Sequence, residues 1–301
     1  MRTLTLPGLG TVSAIGYGAM PLSIEGRPDA ERAVATVHAA LDAGITLVDT
    51  ADSYYAPGGE PGHNELLIAR ALRGHGGAAD EVLVATKGGR ARTGDGDWTV
   101  DGDPRHLRAA AEASARRLGV EAIGLYQLHK PDPDVPFAES VGALRELADR
   151  GTIRLAGVSN VSVEQIREAR EILGDRLVSV QNRYSPAVRG SDPQLRLCAS
   201  LGLAFLPWSP LGGISRSSLD GPGADGPAPT TPFHEVARRH GTSPQQVALA
   251  WLLTLSPTVL PIPGASRPAS VRDSAAAADL VLDAEDLARL PLPLPLAAEP
   301  V

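Results

Sequence analysis

Short apolar runs alternate with amphipathic stretches along almost the whole chain. The apolar runs end at polar or glycine positions, as buried parallel strands do, and they predict strands over 14–17, 46–48, 82–85, 124–128, 153–158, 177–180, 203–206 and 258–262. The amphipathic stretches place apolar residues three or four positions apart and predict helices over 29–43, 63–73, 104–118, 135–150, 163–173, 192–201, 244–255 and 268–278. The chain is therefore expected to alternate strand and helix eight times.

Residues that favour helix ends lie where this alternation needs them. Asp103-Pro104 and Ser243-Pro244 each combine an N-cap residue with proline at the first helical position. Glycine directly follows five predicted helices, at positions 44, 119, 151, 174 and 202, where a residue in the left-handed conformation commonly ends a helix. These local signals support the boundaries drawn from the periodicity.

The alternation predicts the α/β fold class and a parallel sheet with right-handed crossovers. Eight units in 301 residues favour a single domain over 1–301 that closes as a (β/α)8 TIM barrel. The rival fold is an open doubly wound sheet, which usually has the pattern G-x-G-x-x-G after its first strand. Gly8-Leu9-Gly10 and Gly16-Tyr17-Gly18 both lack the third glycine at that spacing, so the barrel is preferred.

Three segments fall outside the alternation. Residues 3–12 contain a Pro7-Gly8 turn and predict a β-hairpin that caps the bottom of the barrel. Residues 212–232 are rich in Gly, Pro, Ser and Asp and predict a long mobile loop at the barrel mouth. Residues 290–296 alternate Leu and Pro, which excludes a helix. That segment is either a partner motif or a stretch packed across the surface.

Composition narrows the class of protein. The net charge is −7 with no basic run, so nucleic acid is not an expected partner. There is no run of 18 apolar residues and no apolar leader at the N-terminus, so neither a membrane span nor export is expected. The single cysteine, Cys198, excludes a disulfide framework, and the histidines lack metal-ligand spacing. A cytoplasmic protein without a metal is the expectation.

Only two of the 28 basic residues are lysine, Lys87 and Lys130. Arginine serves equally well for surface charge, but a buried ammonium has a pKa that its surroundings can tune. Lys87 ends the apolar run of the third predicted strand and precedes Gly88-Gly89. In a barrel, catalytic side chains lie at the carboxyl ends of strands. Lys87 is therefore a candidate active-site residue.

Three further residues, which follow two other strands, complete an acid–base device. Asp49 follows the second strand, Tyr54 lies five residues later, and His129 follows the fourth strand. Asp49 can orient the Lys87 ammonium, which in turn lowers the pKa of Tyr54 from its usual value of about 10. His129 can position a carbonyl oxygen that Tyr54 protonates. The reaction also needs a hydride, which a nicotinamide cofactor supplies.

Each of these residues has a plainer interpretation. Asp49 could cap the following turn, because aspartate is common there. Tyr55 competes with Tyr54 as the donor and otherwise lines the substrate pocket or packs. His129 alone could be a satisfied buried histidine. The combination of all four types at strand ends favours catalysis over these alternatives.

Seven motifs make the chain resemble the aldo-keto reductase family. They follow one another through nearly the whole chain as Asp49-Thr-Ala-Asp-Ser-Tyr54, Val84-Ala-Thr-Lys87-Gly, Leu125-Tyr-Gln-Leu-His129, Gly157-Val-Ser-Asn160, Val180-Gln-Asn182, Trp208-Ser-Pro-Leu211-Gly and Ile262-Pro-Gly-Ala-Ser266. The resemblance implies reduction of an aldehyde or ketone with NADPH, with Tyr54 as proton donor. Two other hypotheses are a non-catalytic nicotinamide-binding regulatory subunit of the same fold and a metal-dependent barrel hydrolase.

The resemblance also implies a cofactor site. Ser159, Asn160 and Gln181 are expected to hold the nicotinamide carboxamide, and Trp208 to stack on the ring. The remaining contacts are expected from Gly18, Met20, Asp49, Ser209, Pro210, Leu211, Gly212, Gly264, Ser266, Arg267, Ser270, Asp273 and Ser274. Many family members have Lys-Ser at positions 264–265, Arg at 270 and Glu-Asn at 273–274. Because this chain lacks them, Arg267 or Arg272 must supply the positive charge for a 2′-phosphate. The resemblance favours NADPH over NADH in spite of these departures.

The substrate is not encoded in a recognisable motif. Specificity is expected to depend on residues 20–27, 55–62, 88–101, 212–232 and the C-terminal tail. Trp98 either lines the pocket or anchors its loop, Lys130 is interpreted as a rim charge, and Trp251 as a core residue. Aromatic residues make up 4% of the chain, which favours an open or aliphatic pocket.

Overall fold

The computed structural model describes residues 1–93, 96–212, 214–215 and 231–291. Its strands are β1 (Thr3–Leu6), β2 (Gly10–Ser13), β3 (Tyr17–Gly18), β4 (Leu47–Asp49), β5 (Leu83–Gly88), β6 (Arg90–Arg92), β7 (Trp98–Val100), β8 (Ile123–Leu128), β9 (Ile153–Ser159), β10 (Leu177–Gln181) and β11 (Ala204–Phe205). Its helices are α1 (Ala30–Asp42), α2 (His63–His75), α3 (Pro104–Leu118), α4 (Phe137–Asp149), α5 (Val163–Leu173), α6 (Asp192–Leu201), α7 (Pro232–His240), α8 (Pro244–Leu255), α9 (Pro268–Ala276) and α10 (Ala284–Arg289). Short 3-10 helices cover Met20–Leu22, Gly77–Glu81, Gly174–Arg176 and Ala277–Asp279.

Seven parallel strands form one sheet in the order β3-β4-β5-β8-β9-β10-β11. Residues 258–264 join its two edges. The Leu260 amide donates to the Phe205 carbonyl at 2.9 Å, and the Gly18 amide donates to the Pro263 carbonyl at 3.0 Å. This segment occupies the place of the eighth predicted strand, and the barrel expectation is confirmed. The segment lacks a continuous ladder because Pro261 and Pro263 have no amide hydrogen to donate.

The N-terminal hairpin lies where the sequence predicted it. β1 and β2 pair antiparallel with Thr3 opposite Ser13, and Gly8 in the turn has a φ of 72°, which glycine adopts without strain. The buried side chains Leu6, Leu9 and Val12 belong to the same apolar cluster as the interior-facing residues Leu47, Val178, Ala204 and Leu260. The hairpin therefore closes one end of the barrel.

Helix boundaries follow the sequence signals closely. α3, α5, α6 and α8 have the predicted bounds, and the other predicted helices differ by at most two residues at each end. The Asp103 side chain accepts from the Arg105 amide at 2.7 Å, and the Ser243 hydroxyl accepts from the Gln246 amide at 3.1 Å. Both predicted N-caps therefore function as caps.

Three elements were not predicted: α7, α10 and the hairpin of β6 and β7. α7 buries only Phe233, Val236 and Ala237 and ends in charged residues, so its apolar periodicity is too short to detect. The loop predicted over 212–232 lies mostly outside the described residues, and its last residue, Pro232, begins α7. Of the predicted tail segment only 290 and 291 are described.

Alternation along the barrel strands divides the interior into an apolar and a polar half. On β4, Leu47 and Asp49 both point inward, two residues apart, and on β8 Leu125 and Gln127 do the same. Lys87 takes the equivalent inward position on β5. In each strand the polar residue lies nearer the carboxyl end, so the candidate site forms at the end of the barrel opposite the hairpin.

Candidate active site

Lys87 lies at the centre of the predicted constellation and is completely buried. Its Nζ donates to Asp49 Oδ2 at 2.6 Å, to the Thr50 carbonyl at 2.9 Å and to Tyr54 Oη at 3.2 Å. Because an ammonium has three hydrogens, this geometry uses all of its donors. Burial acts to lower the pKa of Lys87, but its interactions with Asp49 and Tyr54 together outweigh burial, so the pKa rises above its usual value and the side chain stays charged at neutral pH.

Asp49 is held by a second set of contacts. Its Oδ1 accepts from Gln181 Nε2 at 2.8 Å and from Gln127 Nε2 at 3.3 Å. Both carboxylate oxygens are therefore engaged within the barrel. The structure places Asp49 against Lys87, as catalysis requires. Gln127 was missed in the sequence, although its position two residues after the buried Leu125 marks it as inward-facing.

Tyr54 corrects one sequence expectation. Burial, the largest influence, raises the pKa of its hydroxyl, while the Lys87 ammonium lowers it. The net shift is upward, because desolvation of the phenolate outweighs the favourable charge. Lys87 does act to lower the pKa of Tyr54, but the expectation of a lowered pKa is wrong because burial has the larger effect. Tyr54 keeps its proton at neutral pH, which is the state a proton donor needs.

His129 is buried beside Tyr54, with the two rings edge to face and 5.6 Å apart. Burial, followed by the charges of Lys87 and Arg90, lowers the pKa of His129 well below its usual value. Its Nδ1 lies 3.4 Å from Ser53 Oγ. If Ser53 donates to Nδ1, the neutral ring has its proton on Nε2 and can donate it.

Tyr55, Lys130 and Trp251 do not line the cavity described below. Tyr55 Oη accepts from the Arg92 amide at 3.2 Å, so Tyr55 packs under the β6–β7 hairpin. Lys130 is exposed and also lies outside the cavity wall. Trp251 is fully buried and donates to the Pro291 carbonyl at 3.0 Å, which confirms it as a core residue.

A cavity of about 770 Å³ opens at this end of the barrel. Tyr54 and His129 line it, and Lys87 lies behind Tyr54. The wall also contains every predicted cofactor residue, namely Gly18, Met20, Asp49, Ser159, Asn160, Gln181, Trp208, Ser209, Pro210, Leu211, Gly212, Gly264, Ser266, Arg267, Ser270, Asp273 and Ser274. Wall residues that were not predicted as cofactor contacts include Pro21, Arg90, Trp98, Ser215 and Gln245.

The side chains near His129 hold one another in place. Asn160 Nδ2 donates to the His129 carbonyl at 2.9 Å, and Asn160 Oδ1 accepts from Trp208 Nε1 at 3.2 Å. Asn160 has a φ of 59°, an uncommon conformation for a residue other than glycine. Ser159 Oγ donates to the Gln181 carbonyl at 2.7 Å. This network fixes the Trp208 ring at the cavity wall.

The part of the cavity wall next to α9 suits an anion. Arg267 precedes α9, and Ser266, Ser270 and the first turn of α9 face the cavity, so a guanidinium, two hydroxyls and a helix N-terminus converge there. Asp273 accepts from Ser243 Oγ and Gln246 Nε2, both at 2.7 Å.

Of the two arginines proposed for a 2′-phosphate, only Arg267 lines the cavity. Arg272 is exposed on α9 and lies outside the wall. Arg267 precedes the helix at its N-cap position, whereas Arg272 lies on the exposed face of α9. The sequence could not separate the two because it does not fix the rotation of α9.

Within the described ranges, no three His, Cys, Asp or Glu side chains cluster closely enough to hold a metal ion. The same part of the chain has no helix that combines the length and apolarity needed to cross a bilayer.

Comparison with known proteins identifies the family. The model of the Aldo/keto reductase family matches residues 14–291. This chain belongs to the aldo/keto reductase family. It is therefore an oxidoreductase by family, and the fold described above is that of an aldo/keto reductase barrel. The chain is 36% identical over 283 residues to an uncharacterized oxidoreductase of Schizosaccharomyces pombe, covering 93% of this chain and 86% of that protein.

A second relative has a named activity. Pyridoxine 4-dehydrogenase of Escherichia coli is 33% identical over 300 residues, covering 96% of this chain and 97% of that protein. Among solved structures, an aldo/keto reductase from Klebsiella pneumoniae in complex with NADP and acetate has a TM-score of 0.76 and 30% identity, covering 95% of this chain and 93% of its own. A glycerol dehydrogenase from Gluconobacter oxydans has a TM-score of 0.80 and 29% identity, covering 99% and 98%.

Proposed function

We propose that this oxidoreductase reduces an aldehyde or ketone to an alcohol with NADPH, and that Tyr54 donates the proton. The contact between Lys87 Nζ and Tyr54 Oη at 3.2 Å supports this most directly, because it joins a protonated phenol at the cavity wall to a buried cation. A carbonyl oxygen that gains negative charge next to Tyr54 meets a donor whose conjugate base is stabilised in advance.

The residues present fit a nicotinamide cofactor with a 2′-phosphate. Trp208 offers a flat face near His129, and Arg267 with the first turn of α9 offers an anion site in the wall of the same cavity. Structures of related reductases contain NADP or NADPH. When bound, the reduced nicotinamide supplies the hydride, which no side chain can supply.

The chain's own groups then divide the proton chemistry between them. The Tyr54 O–H bond breaks as an O–H bond forms to the developing alkoxide, and the resulting phenolate lies beside the Lys87 ammonium. Asp49 keeps that ammonium in place through the 2.6 Å contact with its Oδ2. A neutral His129 donates from Nε2 to the same oxygen and so fixes its position.

We further propose that the reaction takes place on a single barrel domain in the cytoplasm and that the partner is a small carbonyl compound. The net charge of −7 and the lack of a basic run make nucleic acid an unsuitable partner. A single buried thiol, Cys198, is compatible with a reducing compartment.

A panel of carbonyl compounds, assayed separately with NADPH and NADH, tests the proposal. The panel includes pyridoxal and glyceraldehyde, because relatives are a pyridoxine 4-dehydrogenase and a glycerol dehydrogenase. We expect oxidation of NADPH with at least one aldehyde and slower oxidation of NADH. Tight NADPH binding without turnover of any compound would contradict the proposal and favour the non-catalytic regulatory subunit.

A further inference from the structure

Arg90 lies at the cavity wall close to the catalytic groups. It begins β6, which pairs with β7 so that Arg92 lies opposite Trp98. The Arg90 guanidinium carbon is 4.1 Å from the centre of the Trp98 ring, and both residues line the cavity. The Arg90 charge contributes to lowering the pKa of His129, after burial and Lys87. Arg90 is therefore near enough to the reacting atoms to contact a substrate.

In the described part of the chain, no carboxylate pairs with Arg90 and no acceptor receives a hydrogen bond from its guanidinium. Its neighbour Arg92 is different. Arg92 donates to Glu25 at 2.7 and 2.9 Å and to the Gly96 carbonyl at 3.0 Å. A half-buried guanidinium without a partner is costly, and burial lowers the pKa of Arg90. Arg92 holds the hairpin together, while the Arg90 donors stay free at the cavity wall.

Other groups near Tyr54 do not supply a free cation. The Lys87 ammonium is buried and uses its three hydrogens on Asp49, Thr50 and Tyr54, and a neutral His129 has no charge. Arg267 lies by the first turn of α9, where the cofactor phosphate is proposed to bind. Among these charged groups, Arg90 alone combines free donors with a place beside the reacting atoms.

We propose that Arg90 binds an anionic group of the substrate, so that the preferred substrates are aldehydes or ketones with a carboxylate or a phosphate. Trp98 holds the Arg90 side chain at the cavity wall, because the guanidinium carbon lies 4.1 Å from the centre of the ring. A planar guanidinium matches both anions because it can donate two parallel hydrogen bonds. This inference rests on the proposed reductase function and names the substrate class of the same site.

Matched pairs of charged and neutral substrates test whether the anion is a carboxylate or a phosphate. The pairs are 4-carboxybenzaldehyde with methyl 4-formylbenzoate, and D-glyceraldehyde 3-phosphate with D-glyceraldehyde. In the pair whose anion the site binds, wild type is expected to have the higher kcat/KM for the charged substrate. Arg90→Met is expected to lower the charged-to-neutral ratio by about 10-fold or more, the usual effect of losing a charge-assisted hydrogen bond. The ratio divides out any loss that both substrates share.

Two further variants separate charge recognition from structure. Arg90→Lys keeps the cation but loses the paired donors, so it is expected to restore part of the ratio. Arg154→Met removes an exposed arginine near the amino end of β9, away from the cavity, and is expected to leave the ratio at the wild-type value. A ratio in Arg90→Met equal to wild type for both pairs overturns the inference.

Binding of an unreactive anion provides a readout that does not depend on turnover. Benzoate affinity, measured by calorimetry on the protein with saturating NADP, is expected to fall about 10-fold or more in Arg90→Met and to stay constant in Arg154→Met. Equal affinity in wild type and Arg90→Met contradicts the inference. If no carbonyl compound turns over while this loss is observed, the proposed function fails and the anion site stands.

Discussion

Lys87 and Arg90 are two cations three residues apart, and they differ in how their donors are used. Lys87 is fully buried and its three hydrogens are bound by Asp49, Thr50 and Tyr54. Arg90 is half-buried, and within the described residues its guanidinium carbon lies 4.1 Å from the centre of the Trp98 ring and pairs with no carboxylate. The difference teaches that a cation which tunes another side chain is satisfied inside the protein, while one that binds a ligand keeps donors free.

Replacing Lys87 breaks the satisfied side of this comparison and has the largest expected effect. Lys87→Met removes the cation that stabilises the Tyr54 phenolate, so kcat is expected to fall by about 1000-fold or more. It also leaves the Asp49 carboxylate buried without a countercharge, which is expected to cost about 3–5 kcal/mol of unfolding free energy. Steady-state kinetics and urea denaturation measure the two effects.

Lys130→Met is the matched control, because it removes the other lysine from an exposed position outside the cavity wall. It is expected to change neither kcat nor stability appreciably. Lys87→Arg keeps the charge but has no room for a guanidinium between Asp49 and Tyr54, so it is expected to be nearly as inactive as Lys87→Met. An active Lys87→Arg variant would show that the ammonium geometry described here is not required.

Arg267 is a third cation at the cavity wall, and we expect it to bind the 2′-phosphate of the cofactor. Arg267→Met is expected to weaken NADPH binding by about 10- to 100-fold, the usual effect of losing a hydrogen bond to a charged group, with a much smaller effect on NADH. Fluorescence titration with both cofactors measures this. Arg272→Met is the control, because Arg272 lies on the same helix but outside the cavity wall. Equal losses for NADPH and NADH would contradict the assignment of the 2′-phosphate to Arg267.

The pH dependence is expected to be the smallest effect. The pKa of His129 lies well below 6.5 and that of Tyr54 lies above 10.0, so neither group titrates between these values. Reduction needs Tyr54 protonated, and a raised pKa preserves that state to higher pH. We expect kcat/KM for a neutral aldehyde to vary by less than about twofold from pH 6 to pH 9. A break near pH 6.5 that disappears in His129→Gln would show that His129 has an ordinary pKa.

The sequence predicted the barrel and the meeting of Asp49, Tyr54, Lys87 and His129 for a specific physical reason. Strand alternation fixes which residues point inward, and strand polarity brings Asp49, Lys87 and His129 to one end. These are consequences of local pattern and topology. The eighth strand was also located, but its irregular pairing depends on Pro261 and Pro263, which have no amide to complete the ladder.

What the sequence did not predict depends on the environment of side chains. The direction of the Tyr54 pKa follows from a competition between burial and the Lys87 charge, and residue type alone does not give the degree of burial. Arg90 was missed because its neighbour Arg92 looks the same in the sequence. The structure distinguishes the two, because Arg92 forms an ion pair with Glu25 and Arg90 forms none within the described residues.

The central claim is that Tyr54 donates the proton, and a pair of tyrosine variants tests it most directly. Single-turnover reduction of an aldehyde by the protein with bound NADPH is measured for Tyr54→Phe and Tyr55→Phe, together with NADPH affinity. Tyr54→Phe is expected to slow reduction by about 100- to 10,000-fold with unchanged NADPH affinity. Tyr55→Phe, which loses one hydrogen bond to the Arg92 amide, is expected to stay within about threefold of wild type. Retained turnover in Tyr54→Phe, or its loss in Tyr55→Phe alone, would contradict the account.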